Sequence, residues 1–156
     1  MATVFDVAKY ILIAAGETSA MKLQKLVYYS QAWSLAWNER ELFQERIEAW
    51  AGGPVAPALY DRHRGQFRIS ADILPDADEN GLTPLERETV DRVISFYGSH
   101  TAQWLSDLTH LEQPWILARA RACAGPGDFC KEQISIADMA EYYTGLMSNA
   151  AAQTVS

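Results

Sequence analysis

Residues 21–37 read MKLQKLVYYSQAWSLAW, and the fold of the whole chain turns on them. Leu23, Leu26, Val27, Ser30, Trp33, Ser34 and Trp37 recur at spacings of three and four, which places them along one side of a helix. Lys22, Lys25 and Tyr29 form a neighbouring stripe, while Gln24, Tyr28 and Gln31 carry bulk to the remaining faces. A helix with large side chains around so much of its circumference is packed on several sides. Ser19 stands where an N-cap hydroxyl accepts from the orphan N–H groups of the first turn. The stretch predicts a central helix with Trp33 in the core.

On its N-terminal side, Val4, Val7, Ala8, Ile11 and Ala15 mark the buried side of a first helix, with Gly16 placed to end it. The apolar run YILIAAG inside it is no signal peptide: no basic region precedes it, and Asp6 and Lys9 interrupt the stretch. It is also shorter than the roughly 18–20 apolar residues a membrane span needs. On the C-terminal side, residues 42–53, LFQERIEAWAGG, alternate as one or two short strands do, with Gly52-Gly53 as a tight turn. Pro54 is read as the first residue of a helix over 54–64 that carries Val55, Leu59 and Tyr60. Residues 70–81, rich in Asp with Pro75 and Gly81, read as a mobile loop. Thr83-Pro84-Leu85-Glu86 then combines a capping threonine, a first-turn proline and a reciprocal glutamate, and starts a helix with Leu85, Val90, Val93, Ile94 and Tyr97 buried. A short helix follows Thr101, another begins near Trp115, and Ser135 with Asp138 caps a last one. The expected fold is mainly α: a compact single-domain helical fold over residues 1–147, with a small β-hairpin inserted after the second helix and a flexible tail over 148–156.

Composition narrows the function. With 156 residues and 49% hydrophobic content the chain builds one real core. Its net charge of −7 disfavours binding along a nucleic-acid backbone, which relies on Lys and Arg displacing counterions. Two cysteines, Cys123 and Cys130, make no disulfide framework and fit a reducing cytoplasm.

Three chemistries compete with a purely structural reading. His110-x-Glu112 followed by Pro126 and Cys130 resembles part of the zinc deaminase pattern. No cysteine follows the proline, and the two cysteines lie too far apart in sequence for that ligand set, so His110 and Glu112 are expected to tie down a turn beside Trp115. Cys130 has no local signature joining it to His63, His100 or His110 as a base, and reads as an idle thiol. Gly52-Gly53-Pro54-Val55 lacks the Lys-Ser/Thr ending of a phosphate loop. The expectation is a non-catalytic domain with no cofactor and no bound metal.

Several separated motifs carry a resemblance. KLQKLVYYSQAW at 22–33, LF at 42–43, IEAWAGGPVAPALY at 47–60, THLEQPW at 109–115 and ISIADMAEYY at 134–143 resemble, in order and spacing, the Panacea domain family. These are antitoxin domains, earlier grouped as phage-associated GepA-like proteins, and the resemblance extends from about residue 4 to residue 146. It implies the neutralising member of a bacterial toxin–antitoxin pair, binding a cognate protein toxin directly, or alternatively an adaptor that delivers the toxin to a cytoplasmic protease. Some members carry an added DNA-binding region, for which this length leaves no room beyond the domain. No catalytic residue carries over. Partner-binding positions are expected among the exposed members of Lys25, Tyr29, Tyr60 and His63, because the central helix and the helix after the glycine turn present side chains rigidly.

Overall fold

The computed structural model describes the backbone of residues 1–155 and the side chains of residues 1–150. Its centre is α2 (Ala20–Asn38), capped by Ser19, whose hydroxyl accepts from the Lys22 N–H at 3.1 Å. Every residue from Leu23 to Ala32 is buried. Four helices enclose it: α1 (Val4–Ala15), α4 (Pro84–Tyr97), α5 (Ala102–Thr109) and α7 (Ile136–Val155). The remaining helices are α3 (Pro57–His63) and α6 (Gln113–Arg121).

The strands are short. β2 (Glu48–Trp50) and β3 (Gly53–Val55) form the hairpin after α2, and β1 (Thr18–Ser19) pairs antiparallel with β4 (Arg68–Ile69) in a second sheet that the sequence does not announce. A mainly α fold with an inserted hairpin is therefore what this chain adopts. Among the described residues no helix is long and apolar enough to cross a membrane.

Buried polar groups on α2 fasten the irregular segments to it. Gln31 Oε1 accepts from the Leu42 and Phe43 N–H groups at 2.7 and 3.3 Å, while its Nε2 donates to the Phe43 carbonyl at 2.8 Å. Seven residues earlier Gln24 does the same to Ala56: Oε1 accepts from its N–H at 2.9 Å and Nε2 donates to its carbonyl at 3.3 Å. Two carboxamides, two turns apart on one face, thus satisfy backbone that would otherwise be buried without partners.

Four expectations change. Pro54 lies in β3 opposite Ala49, and the helix starts at Pro57. The Ala49 N–H donates outward to the Glu132 carbonyl and its own carbonyl accepts from Arg119, so position 54 faces no donor or acceptor and its missing N–H costs nothing. Residues 70–81 form two 3-10 turns held against α1: the Asp78 N–H donates to Asp6 Oδ1 at 2.8 Å, Lys9 Nζ to the Ala77 carbonyl at 3.0 Å, and Leu74 is fully buried. Leu85 is exposed and Ile94 half-buried, whereas Val90, Val93 and Tyr97 are buried. Trp33 is half-buried at the edge of the core, its Nε1 donating to Tyr97 Oη at 2.9 Å. α7 spans Ile136–Val155, and Ser156 lies outside the described residues.

Candidate functional site

The first turns of α2 meet the hairpin and α3 around a cleft of about 460 Å³. Gln24 and Lys25 come from α2, Trp50, Gly52 and Val55 from the hairpin, Tyr60 and His63 from α3, with Met21 and Phe67 also lining it. The amide orientation of Gln24 is fixed by the Ala56 N–H, which needs an oxygen opposite it. Its Nε2 therefore faces His63 Nε2, 3.0 Å away, and makes that ring nitrogen an acceptor. The proton of neutral His63 then sits on Nδ1. Burial lowers the His63 pKa, and the nearby charge of Lys25 lowers it further.

Lys25 lies deeper. It is 2% exposed, and its ammonium donates to the Pro54 carbonyl at 3.2 Å. Burial alone pulls its pKa down to about 8. The hairpin accommodates the lysine stem by having no side chain at Gly53: a Cβ there would lie 2.6 Å from Lys25 Cε and 3.1 Å from Thr109 Oγ1, on a backbone with φ +123°. Gly53→Ala is expected to lower stability by at least about 1 kcal/mol, read from the urea midpoint, because neither the conformation nor the space suits an L side chain.

Three rings form the wall. Trp50 meets Tyr60 edge-on with centroids 4.8 Å apart, and Tyr60 meets His63 likewise at 5.3 Å. The hairpin is held from behind, where Trp115 Nε1 donates to the Trp50 carbonyl at 2.9 Å and Arg119 to the Ala49 carbonyl at 2.9 Å. Ser106 Oγ donates to the Gly52 carbonyl. Across the Trp50–Tyr60 ridge lies a second depression, lined by Glu48, Asp61, Arg64, Phe129 and Lys131. Phe67 and Phe129 stand 79% and 82% exposed on either side. Two large apolar rings thus stand in water beside the aromatic Trp50–Tyr60 ridge, a surface of the kind that protein partners cover.

Of the four positions singled out from sequence, Lys25, Tyr60 and His63 share this cleft, with Lys25 and His63 buried on its floor and Tyr60 half-exposed on its wall. Tyr29 is elsewhere. It is fully buried, stacked on Tyr97 at 4.1 Å, and donates to Glu112 Oε1 at 2.7 Å. Tyr143 donates to the same oxygen at 2.9 Å and lies 3.0 Å from Tyr28 Oη. Burial raises the Glu112 pKa, and the two tyrosine hydroxyls pull it part of the way back. Glu112 is thus the acceptor of a tyrosine cluster inside the core. His110 stacks on Trp115 at 4.1 Å, and its Nε2 is buried without a hydrogen-bond partner among the described residues. Cys130 is buried and Cys123 exposed. Among the described residues no three His, Cys, Asp or Glu side chains converge as a metal site would require. Sequence reasoning did not single out Phe67 or Phe129 for the site, although a lone phenylalanine in the polar run GQFR is a usable signal.

The profile of the antitoxin SocA-like Panacea domain matches residues 23–116, which hold nearly all of α2, the hairpin, α3, α4, α5 and the start of α6. The chain belongs to this family. No curated protein and no solved structure matches it significantly. The Panacea match contains the whole Trp50–Tyr60 ridge and most of the lining of the cleft beneath it, while α1 and α7 both fall outside it and complete the burial of α2.

Proposed function

We propose that this protein is the antitoxin of a bacterial toxin–antitoxin pair, acting in the cytoplasm without catalysis and neutralising its toxin in a stoichiometric complex. The toxin would be held on the Trp50–Tyr60 ridge, its active or substrate-binding surface covered by the antitoxin. Membership of an antitoxin family supports this reading, and the observation that supports this face is the exposed Phe67 and Phe129 flanking a ridge whose rings pack on one another in the free chain. Anchors that need no ordering on binding give more affinity per contact. The net charge of −7 argues for a protein partner over nucleic acid.

Co-expression with the product of the neighbouring gene is expected to restore growth even in a strain lacking the major ATP-dependent cytoplasmic proteases. Rescue confined to protease-competent cells would replace inhibition by proteolytic delivery, and no complex between the purified pair would sink direct binding. Phe67→Ala and Tyr60→Ala are each expected to weaken the complex by roughly ten- to thirty-fold, as loss of an aromatic anchor does. Phe67→Ala should leave the urea midpoint unchanged, since its ring covers little of the core. Undiminished affinity in both variants would move the binding face elsewhere on the domain.

A further inference from the structure

The floor of the cleft is electrically incomplete. An ammonium carries three donors, and among the described residues Lys25 Nζ makes one hydrogen bond, to the Pro54 carbonyl. No carboxylate among the described residues pairs with it. The groups facing it from each packed element do not compensate. α3 offers His63, whose Nε2 is already engaged by Gln24; the turn after α5 offers His110; and both imidazoles are held towards their neutral forms by burial and by the charge of Lys25 itself. β3 offers backbone carbonyl, the hairpin wall Trp50, and α3 the Tyr60 ring. An ammonium this deeply buried is ordinarily paired with a carboxylate.

The space above it is about 460 Å³, bounded by aromatic walls. Such walls suit the methylene stem of an amino-acid side chain. A free phosphate is served less well, since it prefers several converging N–H donors or a guanidinium fork. We propose that this cleft receives an aspartate or glutamate side chain carried on a loop of the protein partner, with Lys25 as its counter-ion. The partner's being a toxin rests on the antitoxin reading above; the preference of the cleft for a carboxylate does not. A carboxylate binds the protonated lysine, so its affinity falls as Lys25 loses its proton. With a free pKa of about 8, the protonated fraction drops about ten-fold between pH 7 and pH 9.

The test uses the full chain alone. Acetyl-Gly-Glu-Gly-amide, its Gln counterpart and inorganic phosphate are titrated at fixed ionic strength, with the Lys25 side-chain and His63 ring resonances followed by NMR. The Glu peptide is expected to perturb both residues and to bind at least ten-fold tighter than the Gln peptide. Its affinity should weaken about ten-fold from pH 7 to pH 9, and Lys25→Met should abolish its preference over Gln. No perturbation of Lys25 by the Glu peptide, equal binding of the Gln peptide, or an affinity flat across that pH range overturns the proposal, and these arms need no variant to fold. Phosphate binding as tightly as the Glu peptide would overturn it in favour of a free-anion site. Failure of the antitoxin reading would appear separately, as no complex with the neighbouring gene's product while the Glu peptide still binds. A toxin complex indifferent to Lys25→Met sinks the carboxylate alone.

Discussion

Tyr29→Ala is expected to lower the unfolding free energy by about 4–6 kcal/mol, read from urea unfolding at pH 7. The ring is fully buried, stacked on Tyr97 at 4.1 Å and set edge-on to Tyr28 and Tyr143. Removing a buried aromatic costs about 3–5 kcal/mol through lost transfer energy and the cavity left behind. The missing hydroxyl also takes one of two donors from a buried carboxylate, Glu112, at a further cost of about 1–3 kcal/mol, partly recovered if water enters. With typical domain stability at about 5–15 kcal/mol, the variant should sit at the edge of folding. A loss under about 2 kcal/mol would mean that the cluster is not the keystone of the core. Tyr29→Phe, which keeps the ring, separates the two contributions. Without the hydroxyl the Glu112 pKa rises further above its unfolded value, and a raised acid contributes stability below the unfolded pKa that is lost as pH rises. The Phe variant should therefore be closer to the parent at about pH 4 than at pH 7.

That cluster marks a boundary of what the sequence makes legible. Capping chemistry is local, so Ser19, Thr83 and Thr101 announce their helices, and each hydroxyl accepts from the N–H three residues on. Pro54 and Pro57 both satisfy the local rule for a helix start. What separates them is the outward pairing of Ala49 with Glu132 and Arg119, which lie more than sixty residues further along the chain. The bulk around α2 signals that it is enclosed, but not by what. Lys25 and Tyr29 fall on one stripe of the helix, yet the hairpin covers only its first turns and the Tyr97, Glu112 and Tyr143 cluster covers the next. One stripe therefore ends in two environments. The same distance effect buries Lys25 against the expectation that lysines face water. Trp33 errs in the opposite direction, half-exposed where its size suggests the core. Of the site, Tyr60 on a helix and a strand and tight turn before it are readable locally; the second strand of the hairpin and the cleft floor require the tertiary fold.

Lys25→Met is expected to stabilise the protein at pH 7 by on the order of 2 kcal/mol. A lysine pKa held at about 8 instead of 10.5 corresponds to about 3 kcal/mol of unfavourable burial whenever the group is charged in both states. At 2% exposure there is little solvent screening to reduce that figure. Methionine keeps the unbranched stem and fills the same space beside Gly53, but it leaves the Pro54 carbonyl without its donor, which returns roughly 1 kcal/mol. The sign is set by linkage. Below pH 8 the folded and unfolded chains both hold the proton and the cost is full; between pH 8 and 10.5 the folded chain has released it while the unfolded chain has not, so stability rises with pH; above 10.5 the cost is gone. The advantage of the variant should therefore be greatest at pH 7, shrink across that window, and reverse once only the lost hydrogen bond remains. Urea unfolding of both proteins from pH 7 to pH 10 measures the difference, in which titrating groups that do not sense Lys25 cancel; His63 and His110, which do, are held below this window by burial. A variant less stable than the parent at pH 7 would make the ammonium a structural clamp for the hairpin. A more stable one would mean that the fold gives up stability to keep a buried cation facing an open cleft, which is the pattern of residues retained for what they bind.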